Sequence, residues 1–347
     1  IMKKENTTPA WVVTGLKLLF FAAVIGFVSF TVRSYGEKKE AELAAQLREQ
    51  QQMESGIPNP EKETRLWNGT EYRQDPINKI ILWVGVDTSG TVEEKQVSGS
   101  GGQADAIGLL IQNKATDEVK ILSIPRDTMT EIRLFDLVGN ELGTDVQHLN
   151  LAYGYGNGEK ESCELLQEAV ENLLGGVEID GYLSINMSAI SQLNDMVGGV
   201  TVRIDDPGLA KRDPDLVYGA TVTLQGAQAE NYVRYRDTAV SQSALGRMER
   251  HKMYANAWLD QASAMQKKDS QFLGAAFEAV QDYMVTDLTK DAYLDAGLAA
   301  MQTENLFEDD HFFTGPGTGT EGLVYDEFYP DETALEKLII DLFYKEA

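Results

Sequence analysis

The pattern of apolar and polar positions divides the chain into three regimes. Residues Trp11 to Val32 are about 22 mainly apolar positions with Lys17 the only charge among them. At 1.5 Å per helical residue such a run crosses a bilayer core of roughly 30 Å. Lys17 lies within two turns of the start and snorkels to the interface. Glu37 to Glu54, EKKEAELAAQLREQQQME, is rich in Ala, Glu, Lys, Gln and Leu with few breakers. It predicts a solvated helix that stops at Ser55-Gly56-Ile57-Pro58-Asn59-Pro60. Its apolar positions are too sparse to favour a short coiled-coil seam.

Beyond residue 75 the pattern becomes globular. Lys79 to Val86, Ala106 to Gln112 and Val119 to Ile124 read as strands, the first two as runs buried on both faces. The polar connection Asn113 to Glu118 predicts a hairpin. Glu161 to Leu174 reads as an amphipathic helix stopped by Gly175-Gly176. A strand at Tyr182–Asn186, a helix at Ser188–Val197 and short strands at Val200–Ile204 and Thr221–Leu224 follow. Ala227 to Arg236 is helical or extended. Arg247–Met265, Gln271–Met284, Lys290–Gln302 and Glu332–Tyr344 predict helices, and Gly315 to Gly322 a loop. Strands mixed with helices imply an α/β or α+β domain. The expected organisation is a cytoplasmic tail (1–10), a transmembrane signal anchor (11–32), a helical stalk and linker (33–75) and one catalytic domain (76–347).

Composition narrows the function. The formal net charge of −25 argues against nucleic-acid binding, which needs a basic face. The lone Cys163 excludes an intrachain disulfide and a cysteine-based zinc site. Lys3 and Lys4 precede the apolar run while Arg33, Lys38 and Lys39 follow it, so charge does not fix orientation. Ser29 to Ser34 offers only weak small-x-small cleavage candidates, which favours an uncleaved anchor, and the short N-terminal tail favours export of the large domain.

Against this acidic background, Arg234, Arg236, Arg247, Arg250 and Lys252 crowd into nineteen residues. Guanidinium forks suit phosphate and carboxylate oxygens, so the cluster is either a local anion site or a set of surface ion pairs. Arg234 and Arg236 share a face if their segment is extended, and Arg247 and Arg250 share one on a helix. Gly246 would let the chain turn ahead of them. Asp87 ends the first strand and Asp105 opens the second. If the strands are neighbours, the two carboxylates meet at one edge and suit Mg²⁺ with waters and substrate phosphates; otherwise they are ordinary strand-end residues. Ser123-Ile124-Pro125-Arg126-Asp127 follows the third strand, where Pro125 ends it and presents Arg126. P-loop and nucleophile-elbow motifs are absent. His148 and His251 read as structural, and Cys163 as core.

In this order, Gly85-Val86-Asp87, Gln103-Ala104-Asp105, Ser123 to Asp127, Leu193 to Val200, Tyr232 to Arg236 and Gly246 to Arg250 resemble the LytR-CpsA-Psr family of bacterial cell-envelope proteins. The resemblance runs from about Ile80 to His251. It implies one extracellular α/β domain with a mixed central sheet flanked by helices and an apolar pocket for a polyprenyl chain. It implies transfer of a glycopolymer, such as teichoic acid or capsule, from a polyprenyl-pyrophosphate carrier to peptidoglycan at the cell membrane. Asp87 and Asp105 would then hold Mg²⁺ or Mn²⁺. Arg126, Arg234, Arg236, Arg247 and Arg250 would bind phosphates, with Asp127 assisting the acceptor hydroxyl or orienting Arg126. Ser89, Gln103, Ala244 and His251 depart from the family's usual Arg, Arg, Asp and Gln, and the first two departures would remove positive charge from the phosphate site. Two further readings stand beside the transferase: a binder of lipid-linked glycan without efficient turnover, and a hydrolase passing the phosphoryl group to water.

Overall fold

The computed structural model describes residues 64–94, 99–237, 239–322 and 325–347. The expected tail, anchor and stalk up to residue 63 lie outside the described residues. Among the described residues no helix is long and apolar enough to cross a membrane.

Strands β1 (Arg65–Trp67) and β2 (Thr70–Gln74) form a hairpin. β2 also pairs with β15 (Tyr344–Glu346), so residues from Thr64 onward belong to the folded unit, inside the stretch expected to be linker. The chain continues through β3 (Asn78–Val86), β4 (Ala104–Asn113), β5 (Val119–Ile124) and a hairpin of β6 (Met129–Phe135) with β7 (Glu141–His148). Helices α1 (Asn150–Gly154) and α2 (Lys160–Leu173) lead to β8 (Gly181–Asn186) and α3 (Met187–Met196). Next come β9 (Thr201–Arg203), α4 (Leu209–Arg212), β10 (Thr221–Thr223), α5 (Ala227–Arg234), α6 (Ser243–Lys268) and α7 (Phe272–Val280). β11 (Met284–Thr286), α8 (Lys290–Gln302), β12 (Phe312–Thr314), β13 (Gly317–Glu321), β14 (Asp326–Pro330) and α9 (Glu332–Phe343) complete it.

The central sheet has the order β11-β8-β3-β4-β5-β12. β3, β4 and β5 are successive antiparallel neighbours, with the expected hairpin between the last two. β8 lies parallel to β3 and β12 parallel to β5, so the sheet is mixed. Its two faces differ in side-chain size. Ile80, Leu82, Val84 and Val86 of β3, with Ile107, Leu109 and Ile111 of β4, pack on α2 and α9 in the main core. The opposite face carries Gly85, Ala106 and Gly108 at its centre, and these cannot fill the space under α6.

Several elements differ from expectation. The helix predicted over Gln271–Met284 ends at Val280, and Met284–Thr286 becomes an edge strand on β8. The open sheet edge wins over helical periodicity there. Thr286 Oγ1 donates to Tyr182 O at 2.6 Å, and Asp287 Oδ1 accepts from Tyr182 N–H at 2.8 Å. Within the predicted loop Gly315–Gly322, residues 317–321 form β13, paired with β14. α6 begins at Ser243, after Gln242 with φ 57°, so Gly246 sits inside the helix and makes no turn. Gly175 and Gly176 do stop α2, both with positive φ, and Gly176 N–H donates to Glu171 O at 2.7 Å.

Candidate active site

β3, β5, β8 and β12 run in one direction, so their carboxyl ends open at one edge of the sheet. Ligands of α/β sheets gather at such an edge. Asp87 and the segment Pro125-Arg126-Asp127 emerge there, and antiparallel β4 brings Asp105 to the same edge. The juxtaposition required of Asp87 and Asp105 is therefore met.

Asp105 lies between two guanidinia. Its Oδ1 accepts from Arg126 Nη1, and its Oδ2 accepts from Arg247 Nη1 at 2.8 Å. Arg126 also donates Nε–H to Asp127 Oδ1 at 3.1 Å and Nη2–H to Gln103 Oε1 at 2.8 Å. Gln103 Oε1 accepts a second bond from Asn150 Nδ2 at 3.0 Å. Burial lowers the pKa of both arginines first; for Arg126 nearby Asp127 raises it and Arg247 lowers it further. Arginine stays charged regardless. At this site two of the buried atoms that have no hydrogen-bond partner among the described residues are Arg247 Nη2, a donor, and Asn150 Oδ1, an acceptor. Buried polar groups are normally paired, so both are free for a ligand.

Asp87 Oδ1 accepts from Gln103 N–H at 2.8 Å, and Asp87 N–H donates to Gln103 O at 3.1 Å. Among the described residues no three His, Cys, Asp or Glu side chains form a metal cage. Two carboxylates at one edge fit a cation of the Mg²⁺ type, which takes one or two carboxylates and completes its shell with water and substrate phosphate.

The other arginines separate. Arg236 follows α5; its Nε–H donates to Ser243 Oγ at 2.9 Å and its Nη2 lies 3.8 Å from Asp326 Oδ2. Asp326 also accepts from Gln242 N–H at 2.7 Å. The C-terminal hairpin, given no chemistry from sequence, thus fixes the start of α6. Arg234 closes α5 and pairs with Glu230 at 2.9 Å on a partly exposed face, so it does not share an extended face with Arg236. Arg250 is buried and faces away from Asp105. It donates to Tyr235 O at 2.5 Å and to Asp206 Oδ2 at 2.7 Å, with its guanidinium over the Tyr235 ring. It anchors the segment that carries Arg236. Arg247 and Arg250 therefore have different tasks despite their helical spacing.

Behind the cluster lies an apolar cavity of about 390 Å³ with Asp105, Arg126, Asp127 and Gln242 in its wall. Trp83, Leu110, Ile121 and Ile185 of the sheet surround the floor of small residues. Leu245, Met248, Ala255 and Leu259 of α6 fall at helical spacing and form the roof. Trp258 Nε1–H donates to Leu193 O at 2.9 Å and ties α6 to α3. Phe307 and Phe312 line the wall further along, their ring centres 5.6 Å apart.

Of the departures from the family pattern, Ala244 and His251 line this cavity. Ser89 lies instead at a smaller cavity on the other face of the sheet, with Tyr153 and Ser184. Burial, with Arg247 and Arg250 nearby, pushes the His251 pKa down to about 3. The ring is neutral and its Nε2–H donates to Val233 O at 3.1 Å. Sequence reasoning missed Asn150 and Asp326, which carry no motif signal. It named Gln103 only as a departure, whereas here it holds Arg126.

The model described as the LytR_cpsA_psr family matches residues 30–338. A polyisoprenyl-teichoic acid–peptidoglycan teichoic acid transferase, TagU, from Halalkalibacterium halodurans is 31% identical over 256 residues, covering 73% of this chain and 74% of that protein. Among solved structures, protein gbs0355 from Streptococcus agalactiae superposes with a TM-score of 0.60 at 21% identity, covering 76% of this chain and 87% of that one. TagT bound to LI-WTA gives 0.56 at 18% identity, covering 77% and 90%. The last two show a shared fold.

Proposed function

The chain belongs to the LytR_cpsA_psr family, and on that premise we propose that it transfers a teichoic acid or a similar glycopolymer from a polyprenyl-pyrophosphate carrier to peptidoglycan. The observation that carries this reading is the apolar cavity with paired guanidinia at one end. A long prenyl chain gains about 0.8 kcal/mol per buried CH₂, and the buried arginines take its phosphates.

The acceptor hydroxyl oxygen attacks the phosphorus next to the glycan. A new O–P bond forms, the bridging P–O bond breaks, and polyprenyl monophosphate leaves with the bonding electrons. Such transfers need positioning and charge stabilisation more than covalent chemistry from the protein. Arg126 and Arg247, which flank Asp105, offset the developing charge. The unpartnered Arg247 Nη2 offers a donor without breaking any bond. Asp127 holds Arg126 by its Nε–H and is the carboxylate we assign to the hydroxyl proton. Arg236 adds positive charge at the mouth. Asp87 and Asp105 would hold Mg²⁺, or Mn²⁺ in its place, together with phosphate oxygens; the ion supplies neutralisation of the pyrophosphate. Residues 11–32 would anchor the domain at the outer face of the bacterial membrane, where carrier and acceptor meet.

The test is transfer of labelled glycan from a synthetic polyprenyl-pyrophosphate donor to peptidoglycan oligomers by the full chain in detergent, with Mg²⁺ or EDTA. Metal-dependent transfer that Arg126→Ala loses is the expected result. Tight donor binding without turnover over a range of donors would move the assignment to a glycan-lipid binder. The Asp105 carboxylate and Gln103, which between them occupy Arg126, favour that second reading.

A further inference from the structure

Outside the arginine–carboxylate centre, α4 and the end of α5 enclose a cleft of about 340 Å³ lined by Lys211, Arg212, Arg234, Tyr235 and Arg236. Four of its five lining residues are cations and none is an acid, in a chain of net charge −25. The cations hold one another's surroundings loosely. Lys211 Nζ lies 3.6 Å from Asp237 Oδ2 with both side chains exposed, and Arg234 pairs with Glu230 within one helix. Arg212 Nε–H donates to the neutral Asn231 Oδ1, at 3.1 Å. Such exposed pairs are weak and yield readily to a stronger anion. Arg236 belongs to this cleft and also reaches Ser243 and Asp326 at the start of α6. Arg236 thus ties this cleft to the start of α6, where Gln242 and Ala244 line the apolar cavity. Tyr235 adds a ring on which a polyol or sugar can pack.

We infer that this cleft is a docking track for the phosphodiester backbone of the polymer being transferred, with Lys211 and Arg212 reading phosphates beyond the pyrophosphate. The inference rests on the transferase reading and deepens it. A polyanion approaching an acidic protein is repelled except along a cationic path. Salt shortens the reach of exposed charges, to about 8 Å at physiological ionic strength, so the track's contribution falls as salt rises. Short glycans that end at the pyrophosphate do not reach it.

The test compares the wild-type full chain in detergent with the Lys211→Glu/Arg212→Glu double variant, whose altered side chains are exposed. Two donors are used: a prenyl-pyrophosphate disaccharide, and the same lipid extended by glycerol-phosphate repeats. Binding of free poly(glycerol phosphate) oligomers is measured alongside at two ionic strengths. The expected result is a rise in KM of about tenfold for the extended donor, with the disaccharide donor within twofold of wild type. Loss of salt-sensitive oligomer binding should accompany it. An equal effect on both donors, or none on either together with unchanged oligomer binding, overturns the track. If the wild type turns over neither donor, the transferase reading falls, and oligomer binding alone decides the cleft: binding that the variant loses supports it, and absence of binding overturns it.

Discussion

Gly108→Ala tests how the sheet makes room for a lipid. Gly108 is the cross-strand partner of Trp83. A Cβ there would lie 2.6 Å from Trp83 Nε1 and 2.7 Å from Cε2 and Cζ2, where ordinary contact begins near 3.4 Å. The difference, roughly 0.7–0.8 Å, is how far the indole must retreat. Trp83 lines the cavity, so the ring has somewhere to go and moves into the space reserved for the chain. Overpacking costs about 1–3 kcal/mol in a filled core; against a cavity the low end applies, about 1 kcal/mol in urea unfolding. If the displaced ring excludes roughly one methylene of bound lipid, about 0.8 kcal/mol of binding is lost. That is about a fourfold rise in KM. A donor with a single isoprene unit, too short to pass Trp83, should be unaffected. A stability loss above about 3 kcal/mol, or equal KM changes for long and short donors, would instead place Trp83 in the packed core.

Asp105→Asn leaves Arg126 and Arg247 without their shared carboxylate, and breaking a buried pair typically costs about 3–5 kcal/mol; thermal or urea unfolding measures it, and transfer should vanish. Arg250→Ala should cost stability on the same scale because Arg250 is buried on Asp206 and Tyr235. Arg236→Ala, at a partly exposed site, should instead cut transfer at least tenfold with stability within about 1 kcal/mol. His251 is neutral in the folded protein with its pKa pushed to about 3, below the unfolded value of 6.5, so the unfolded chain takes up a proton first. Stability from this group is present above pH 6.5 and is lost as pH falls toward 3. Between pH 6 and 5 the wild type should lose about 1 kcal/mol more than His251→Gln.

Much of this architecture was legible. Apolar runs gave the three central strands and their hairpin, and Gly175-Gly176 gave the end of α2, because those signals are local. The cavity was hidden for a physical reason. Gly85, Ala106 and Gly108 sit in strands that read as evenly buried, and only the pairing of β3 with β4 shows that the small residues share one face. Arg126 and the two aspartates were found through strand ends and motif order. The split between Arg247 and Arg250 was not, since helical spacing places both on one side but does not reveal that Asp105 meets one and Asp206 the other. Asn150 and Asp326 reach the site from elements with no distinguishing pattern. The edge strand β11 lies in a helix-like run that an open sheet edge captured.

The central claim is that a prenyl chain lies in the cavity beneath α6 with its phosphates at Arg126 and Arg247. The most direct measurement is photo-crosslinking of the full chain with a polyprenyl-pyrophosphate carrying a diazirine at the far end of the chain, followed by peptide mapping. Labelling of peptides that contain Trp258, Leu259 and Phe307, abolished by competing unlabelled lipid, is the predicted result. Labelling confined to the opposite face of the sheet, around Thr88 and Tyr153, or to the exposed Leu137–Val138 tip between β6 and β7 would contradict it.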